Sequence, residues 1–162
     1  MCGIIGYTGG SQVLPKLFCG LESLEYRGYD SAGIAFYDTK AGMLCLKEKG
    51  RVSEIRTLAA GYERDMGRKI DAHCGIGHTR WATHGKPSDL NSHPHCTSDV
   101  SLVHNGIIEN YAALREELSR RGYRFLSETD TEAAANLIDY YYKQTEDPIS
   151  AIRAAIREIR GS

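Results

Sequence analysis

The first ten residues, Met1-Cys2-Gly3-Ile4-Ile5-Gly6-Tyr7-Thr8-Gly9-Gly10, combine a reactive side chain with the start of a buried strand. Removal of Met1 would leave a nucleophilic sulfur and a free α-amine together on Cys2, which makes a nucleophile with its own base. The pKa of a free α-amine is about 7.7–8.0 and that of a thiol about 8.5, so moving the proton from sulfur to nitrogen costs only about 1 kcal/mol. The apolar run over residues 4–7 predicts a short strand that would fix Cys2 at a sheet end. The alternative is that position 2 merely tolerates a cysteine.

The hydrophobic pattern beyond residue 10 predicts alternating helices and strands. Apolar residues at helical spacing over 13–24 predict a helix, and the runs 32–37 and 43–46 predict a hairpin. Further strands are expected at 74–79 and 100–104, and further helices at 52–58, from 111 to about 122, from about 130 to 141 and over 149–159. Residues 60–71 are charged and are expected to form a surface connector. Hairpin-type neighbours favour antiparallel sheets in an α+β domain spanning residues 1–162.

The last predicted helix carries an apolar stripe of Ile149, Ile152, Ile156 and Ile159. Such a stripe needs a sheet to pack on, so we expect further strands and a domain that is incomplete on its C-terminal side. An uncovered sheet edge invites pairing with another chain, which predicts self-association.

Composition excludes several classes of function. The 162 residues carry a net charge of −1 with both signs interspersed, so nucleic acid is not an expected partner. The apolar runs are too short to span a membrane, and the N-terminus does not resemble a signal peptide, so a cytoplasmic location is expected. The five cysteines are odd in number and lack a CxxC pair, which fits a reducing compartment rather than a disulfide framework.

Four segments place polar side chains beside glycines where folding alone does not require them. They are Arg27-Gly28-Tyr29-Asp30-Ser31-Ala32-Gly33, His78-Thr79-Arg80-Trp81-Ala82-Thr83-His84-Gly85, His104-Asn105-Gly106 and Ser127-Glu128-Thr129-Asp130-Thr131-Glu132. Together with Cys2-Gly3-Ile4, and in this order, they resemble the glutaminase domain of glutamine–fructose-6-phosphate aminotransferases, also called glucosamine-6-phosphate synthases. The resemblance covers essentially the whole chain.

The resemblance implies an N-terminal-nucleophile (Ntn) hydrolase fold, a four-layer αββα sandwich with antiparallel sheets, and a class II glutamine amidotransferase. The implied reaction converts L-glutamine to glutamate and ammonia through a thioester on Cys2. In the complete enzyme, an aminotransferase of amino-sugar biosynthesis, the ammonia would convert fructose 6-phosphate to glucosamine 6-phosphate. The sugar-isomerase domain that performs this step is not in the sequence. The resemblance further implies a homodimer for the complete enzyme and no cofactor.

The reaction needs a nucleophile, an oxyanion hole and a clamp for the substrate carboxylate. Cys2 supplies the sulfur and its amine the base. Asn105 and Gly106 can point a side-chain amide and a backbone N–H at one oxyanion, although an Asn-Gly turn is the alternative. The guanidinium of Arg80 can grip the glutamine α-carboxylate in two places, although a surface ion pair at a strand end is the alternative.

The remaining roles come from the resemblance. Asp130 would accept from the glutamine α-ammonium, with a helix N-cap or first-turn acid as the alternative. Thr83 and His84 would line the pocket. Trp81 would close over glutamine and help to gate ammonia, with a core aromatic as the alternative. Arg27 is expected near Cys2 in an orienting role, with a structural ion pair as the alternative.

No metal site is predicted. The segment His93-Pro94-His95-Cys96 and three further histidines invite a zinc interpretation, but the paired ligand spacings of structural zinc sites are missing.

Two other functions stay open at this point. If Met1 is retained, the nitrogen of Cys2 is an amide, and the chain would be an inactive glutamine-binding fragment. The other is the glutaminase domain of amidophosphoribosyltransferase. That family carries a tyrosine-serine pair where this chain has Trp81-Ala82-Thr83, and it lacks the segment Ile107-Ile108-Glu109-Asn110. These differences favour the aminotransferase.

Overall fold

The computed structural model describes residues 2–10, 12–81 and 86–161. They form two compact units, Met1–Pro94 and His95–Ser162. The expectation that residues 1–162 make one domain stays a prediction.

The first unit is built on a four-stranded antiparallel sheet. Its strands are β1 (Gly3–Thr8), β2 (Ser31–Asp38), β3 (Gly42–Lys49) and β4 (Ala72–Arg80), in the order β1-β4-β2-β3. The predicted strand at 4–7, the hairpin and the strand at 74–79 are confirmed. Helix α1 (Val13–Glu22) contacts β1 and β4, whereas α2 (Val52–Met66) contacts β2 and β3.

The core of this unit lies between the two helices and one face of the sheet. Ile34 and Phe36 alternate along β2 toward the helices, where they meet Leu17 and Leu21 of α1 and Ile55 of α2. Each such side chain contributes about 1.5–3 kcal/mol when it is fully buried. This packing fixes the sheet that carries Cys2 at its edge strand.

The expected connector over residues 60–71 is wrong in its first half. Helix α2 continues to Met66 and ends at Gly67, which has a φ of 62°. Its buried stripe of Val52, Ile55 and Ala59 faces the core, and the charged residues that follow extend the solvent side. Charge therefore marks an exposed helix face here rather than a loop.

A buried ion pair closes the far end of β2. The Asp38 carboxylate is fully buried and accepts from the Arg68 guanidinium at 2.8 Å. It also accepts from the backbone N–H groups of Lys40, Ala41 and Asp71 at 2.9, 2.8 and 3.0 Å. The hydrogen bond from Arg68 holds the pKa of Asp38 well below its usual range, with further help from these amides.

The second unit is mostly helical. It contains β5 (His95–Cys96) and β6 (Ser101–Leu102), which pair antiparallel, and helices α3 (Tyr111–Arg120), α4 (Asp130–Thr145) and α5 (Pro148–Glu158). The three helices were expected. The strand predicted over 100–104 is shorter than expected, because its partner β5 offers only two residues for pairing.

The isoleucine stripe of α5 does not face this unit's core. Ala151 and Ala155 are buried and α5 packs on α4, whereas Ile149, Ile152 and Ile156 are exposed. Small alanines allow the two helices to approach closely, so they occupy the contact instead of the larger isoleucines. The exposure of these three isoleucines agrees with the expectation that the stripe needs a sheet that the described part of this unit does not provide.

Among the described residues, no helix has the length and apolar character needed to cross a membrane.

Candidate active site

Cys2 lies directly before β1 and beside the last residues of β4. The first residue of β1, Gly3, pairs with Thr79, so the antiparallel register brings Cys2 level with the end of β4. The backbone N–H of Trp81 donates to Cys2 Sγ at 3.2 Å, and the same sulfur donates to the Trp81 carbonyl oxygen at 3.6 Å. Cys2 is only half-buried, which leaves the sulfur accessible.

The two contacts to Trp81 favour different protonation states of the thiol. An N–H donor stabilises a thiolate, whereas a carbonyl oxygen can accept only from the protonated S–H. Loss of the proton therefore leaves the N–H contact intact and ends the carbonyl contact. The contacts with Trp81 therefore hold the Cys2 thiol in place, and the Trp81 N–H can also donate to the thiolate.

Arg80 is the last residue of β4 and is almost fully buried. It pairs with Ser31 of β2, its side chain is only 4% exposed, and its carbonyl oxygen accepts from the Asp30 N–H at 2.8 Å. This burial excludes the alternative of a surface ion pair. A buried guanidinium requires acceptors for its five N–H groups, and a substrate carboxylate is a suitable acceptor.

Trp81 is 53% exposed, so it is not the core aromatic of the alternative interpretation. Its ring lies against Gly28, which follows a short 3-10 turn over Glu25–Arg27. Arg27 ends this turn and is half-buried. The orienting role of Arg27 toward Cys2 stays a prediction.

Thr83 and His84, the two further residues predicted to line the pocket, lie outside the described residues.

In the second unit, Asn105 and Gly106 are exposed and lie between β6 and α3. Among the described non-glycine residues, positive φ angles occur at Gln12 and Glu146, not at Asn105. A type I′ Asn-Gly turn needs positive φ at both central residues, so that form of the turn alternative is excluded. The role in an oxyanion hole stays a prediction.

The segment after Gly106 is held from two sides within this unit. The Ile108 N–H donates to Asp130 Oδ2 at 2.7 Å. Ile108 also forms an isolated antiparallel bridge with Gly161, and the Glu109 N–H donates to the Arg160 carbonyl oxygen at 2.9 Å. These contacts fix the backbone that follows the two predicted oxyanion donors.

Asp130 is the first residue of α4 and is 8% exposed. Its Oδ1 accepts from the Thr131 N–H at 2.9 Å, in addition to the contact of Oδ2 with Ile108. The helix cap itself is Thr129, whose side chain accepts from the Glu132 N–H, as its position in the capping motif predicts. Asp130 is therefore the first-turn acid of the alternative interpretation, with an added contact to residue 108.

The sequence gives no signal for the contact between Asp130 and Ile108. The two residues are separated by 22 positions, and no periodic pattern connects them. A carboxylate oxygen can accept more than one hydrogen bond, so the contact leaves room for a substrate ammonium.

Two histidines of the first unit pack against each other. His78 and His93 are buried and stack on each other, with ring centroids 4.4 Å apart. Within the part of the chain that the structure describes, no group of three or more His, Cys, Asp or Glu residues could hold a metal ion.

Comparison with known proteins gives consistent results. A family model described as "Glutamine amidotransferase domain" matches residues 78–162. Glutamine–fructose-6-phosphate aminotransferase [isomerizing] of Caldanaerobacter subterraneus subsp. tengcongensis is 51% identical over 100% of this chain and 26% of its own length. The enzyme of the same name from Clostridium tetani is 50% identical over the same shares of both chains. This chain thus spans about a quarter of the length of these curated relatives.

Among solved structures, glutamine phosphoribosylpyrophosphate (PRPP) amidotransferase from B. subtilis, complexed with ADP and GMP, has a TM-score of 0.72 and 25% identity. The match covers 99% of this chain and 33% of that enzyme. The α+β fold of N-terminal-nucleophile amidotransferases, with antiparallel sheets, is therefore confirmed. The sequence identities distinguish the two candidate families. PRPP amidotransferase is a distant structural relative at 25% identity, whereas the aminotransferases are identical to this chain at about twice as many positions.

Proposed function

Because this chain belongs to the family of glutaminase domains found in glutamine–fructose-6-phosphate aminotransferases, we propose that it hydrolyses L-glutamine to glutamate and ammonia. The observation that carries the proposal is the position of Cys2. It lies at the chain's second residue, beside the sheet, with its sulfur hydrogen-bonded by the Trp81 N–H at 3.2 Å.

The proposed reaction runs through a thioester on Cys2 and requires that Met1 be removed. The free α-amine takes the thiol proton, and Sγ attacks the side-chain amide carbon of glutamine to give an oxyanion. When the C–N bond breaks, the α-ammonium returns its proton to the departing ammonia. Water then loses a proton to the same amine and attacks the thioester carbon, which releases glutamate and the thiol.

The other residues of the first unit would bind substrate. The buried guanidinium of Arg80 would hold the glutamine α-carboxylate, for which its burial at the end of β4 is the support. Trp81 would cover the substrate, Thr83 and His84 would line the pocket, and Arg27 would orient Cys2. The family resemblance supports these four roles.

Residues of the second unit would supply the remaining groups. Asn105 and Gly106 would donate to the oxyanion, and losing one such donor typically costs about 2.7–4 kcal/mol of transition-state stabilisation. Asp130 would accept from the α-ammonium. The burial of the Asp130 carboxylate supports its role, and the hydrogen bond from the Ile108 N–H to Asp130, which holds the backbone after Gly106, supports the role of Asn105 and Gly106.

The longer relatives are named for transfer to fructose 6-phosphate. We propose that ammonia produced by this chain serves that transfer, which would give glucosamine 6-phosphate in a separate synthase domain. A cytoplasmic location and a homodimer of the longer enzyme are part of the same proposal.

Labelling with 6-diazo-5-oxonorleucine, an electrophile that mimics glutamine, tests the proposal. The diazo carbon takes up the thiol proton, the sulfur then displaces dinitrogen from the resulting diazonium group, and a stable thioether remains. We expect one adduct on Cys2 by intact mass and peptide mapping, with Met1 absent, and protection by glutamine. No adduct, together with retained Met1, would support the inactive glutamine-binding fragment instead.

A pair of serine variants separates the nucleophile from other thiols. We expect Cys2→Ser to bind glutamine but to lose turnover by about three orders of magnitude or more. Cys74 is also exposed, and Cys74→Ser should keep both labelling and turnover. Full turnover by Cys2→Ser would refute the thioester mechanism.

A further inference from the structure

The ring of Trp81 lies beside Gly28 in the first unit, in the space that a side chain at position 28 would enter. A β-carbon built at position 28 would lie 3.0 Å from Cζ3 of the indole, 3.5 Å from Cε3 and 4.0 Å from Cη2. Gly28 also has a φ of 74°, in the left-handed region. The indole therefore rests on a place where the chain has no side chain.

The backbone of the same tryptophan holds the sulfur of Cys2. The Trp81 N–H donates to Sγ at 3.2 Å, and the preceding residue, Arg80, accepts through its carbonyl from the Asp30 N–H at 2.8 Å. The short segment from Gly28 to Asp30 thus contacts Trp81 on its ring side and holds the adjoining peptide group on its backbone side. The position of the donor to Sγ depends on both contacts.

We infer that Gly28 is a positioning residue for the Cys2 nucleophile. By leaving room for the indole of Trp81, it fixes the backbone N–H that donates to Cys2 Sγ. The inference rests on the proposed function for its catalytic meaning, but the contact it describes is a property of the thiol itself. A side chain at position 28 displaces the ring, shifts the Trp81 peptide and weakens the hydrogen bond from the Trp81 N–H to Cys2 Sγ.

The test compares Gly28→Ala with Gly42→Ala. Gly42 starts β3 with a φ of 80°, close to the 74° of Gly28, but a β-carbon there would meet nothing within 4 Å. Both variants place alanine at a positive φ, and only Gly28→Ala meets the indole. Equilibrium unfolding in urea measures the stability cost of each change, so that a difference in backbone strain is separated from the effect on Trp81.

Two readouts report on the chain of contacts. Trp81 is the only tryptophan, so emission maximum and acrylamide quenching measure the environment of its ring directly. The alkylation rate of Cys2 by iodoacetamide at neutral pH, followed by peptide mapping, measures the reactivity of its sulfur. We expect Gly28→Ala to change the fluorescence and to slow alkylation by about 2- to 10-fold. Gly42→Ala should change neither.

Iodoacetamide alkylates Cys2 whether or not the site accepts glutamine, so failure of the proposed function does not decide this test. In a Trp81→Ala background, Gly28→Ala should have no further effect on alkylation, because there is no ring to displace. If Gly28→Ala does not fold, Trp81→Ala alone should slow alkylation in the same direction. A Gly28→Ala protein with the fluorescence and alkylation of Gly42→Ala, or an unchanged rate in Trp81→Ala, would overturn the inference.

Discussion

Replacing Asp130 by Asn should destabilise the second unit and disturb the backbone behind the proposed oxyanion donors. The Asp130 carboxylate uses both oxygens, since Oδ2 accepts from the Ile108 N–H at 2.7 Å and Oδ1 from the Thr131 N–H at 2.9 Å. An asparagine has one oxygen and one NH₂ group. Whichever way the amide turns, one buried backbone N–H faces another donor.

The size of the effect follows from these two contacts. A hydrogen bond to a charged group is worth about 1.5–3 kcal/mol, and a buried donor left without an acceptor costs about 1–3 kcal/mol. Loss of a negative charge from the first turn of α4 adds about 0.3–1 kcal/mol. Because these contributions overlap, we expect Asp130→Asn to lower the free energy of unfolding by about 2–3 kcal/mol.

Asp147→Asn is the matched control for this experiment. Asp147 caps α5, is exposed and accepts from the Ser150 N–H at 2.8 Å. Asparagine caps helices about as well as aspartate, so this change should cost only a few tenths of a kcal/mol. Urea unfolding of both variants, followed by circular dichroism, gives the two free energies.

Glutaminase kinetics separate a structural effect from a binding effect. If Asp130 only bound the substrate ammonium, Asp130→Asn would raise KM and leave kcat and stability unchanged. Because its carboxylate also holds Ile108, we expect kcat to fall as well. An unfolding free energy within about 0.5 kcal/mol of the parent, which is ordinary for surface substitutions, would refute the reasoning.

Two further predictions concern stability. Arg68→Met removes the partner of the buried Asp38 carboxylate and should cost about 3 kcal/mol at neutral pH. The pKa of Asp38 is lowered in the folded state, so the stabilisation by the ion pair is complete above the unfolded pKa of about 3.9 and is lost as the pH falls below that value. The urea midpoints of parent and variant should therefore converge in acid. A difference between the midpoints that stays constant with pH would contradict this reasoning. Gly161→Ala would place a β-carbon 2.1 Å from the Ile107 carbonyl oxygen at a φ of 111°, whereas Gly122→Ala meets nothing at a φ of 92°. Gly161→Ala should therefore cost about 1–3 kcal/mol more than Gly122→Ala in urea unfolding, and equal midpoints would count against the close approach.

The sequence predicted the helices and strands that are determined by residues near each other along the chain. The hairpin of β2 and β3 follows from two apolar runs around a five-residue turn, and α4 begins at Asp130, where a helix was predicted from about residue 130. Helix α2 was predicted too short, because the charges after residue 59 resemble a loop when one cannot see which face is buried. The isoleucine stripe of α5 was predicted to need a further sheet, and Ile149, Ile152 and Ile156 are exposed in the structure. Periodicity identifies a helix face but not its partner.

In the candidate site as well, the sequence indicated the residues but not their long-range contacts. Residue type and order identified Cys2, Arg80 and Asp130 as groups with suitable chemistry, and the burial of Arg80 and Asp130 fits that choice. The hydrogen bonds that hold these side chains could not be predicted from the sequence, because they join residues that are far apart along the chain. The donor to Cys2 is 79 residues away and the donor to Asp130 Oδ2 is 22 residues away.

The register between β1 and β4 explains why the nucleophile can be held by a backbone group at all. Gly3 pairs with Thr79, so Cys2, the residue before β1, lies level with Arg80 at the end of β4 and next to Trp81. A slip of one residue would turn every side chain of β1 to the opposite face, and it would take Ile5 and Tyr7 away from the core they pack against. The burial of alternate residues of β1 therefore determines its register with β4 as well as its orientation. This register places the peptide group of Trp81 within hydrogen-bonding distance of the Cys2 sulfur.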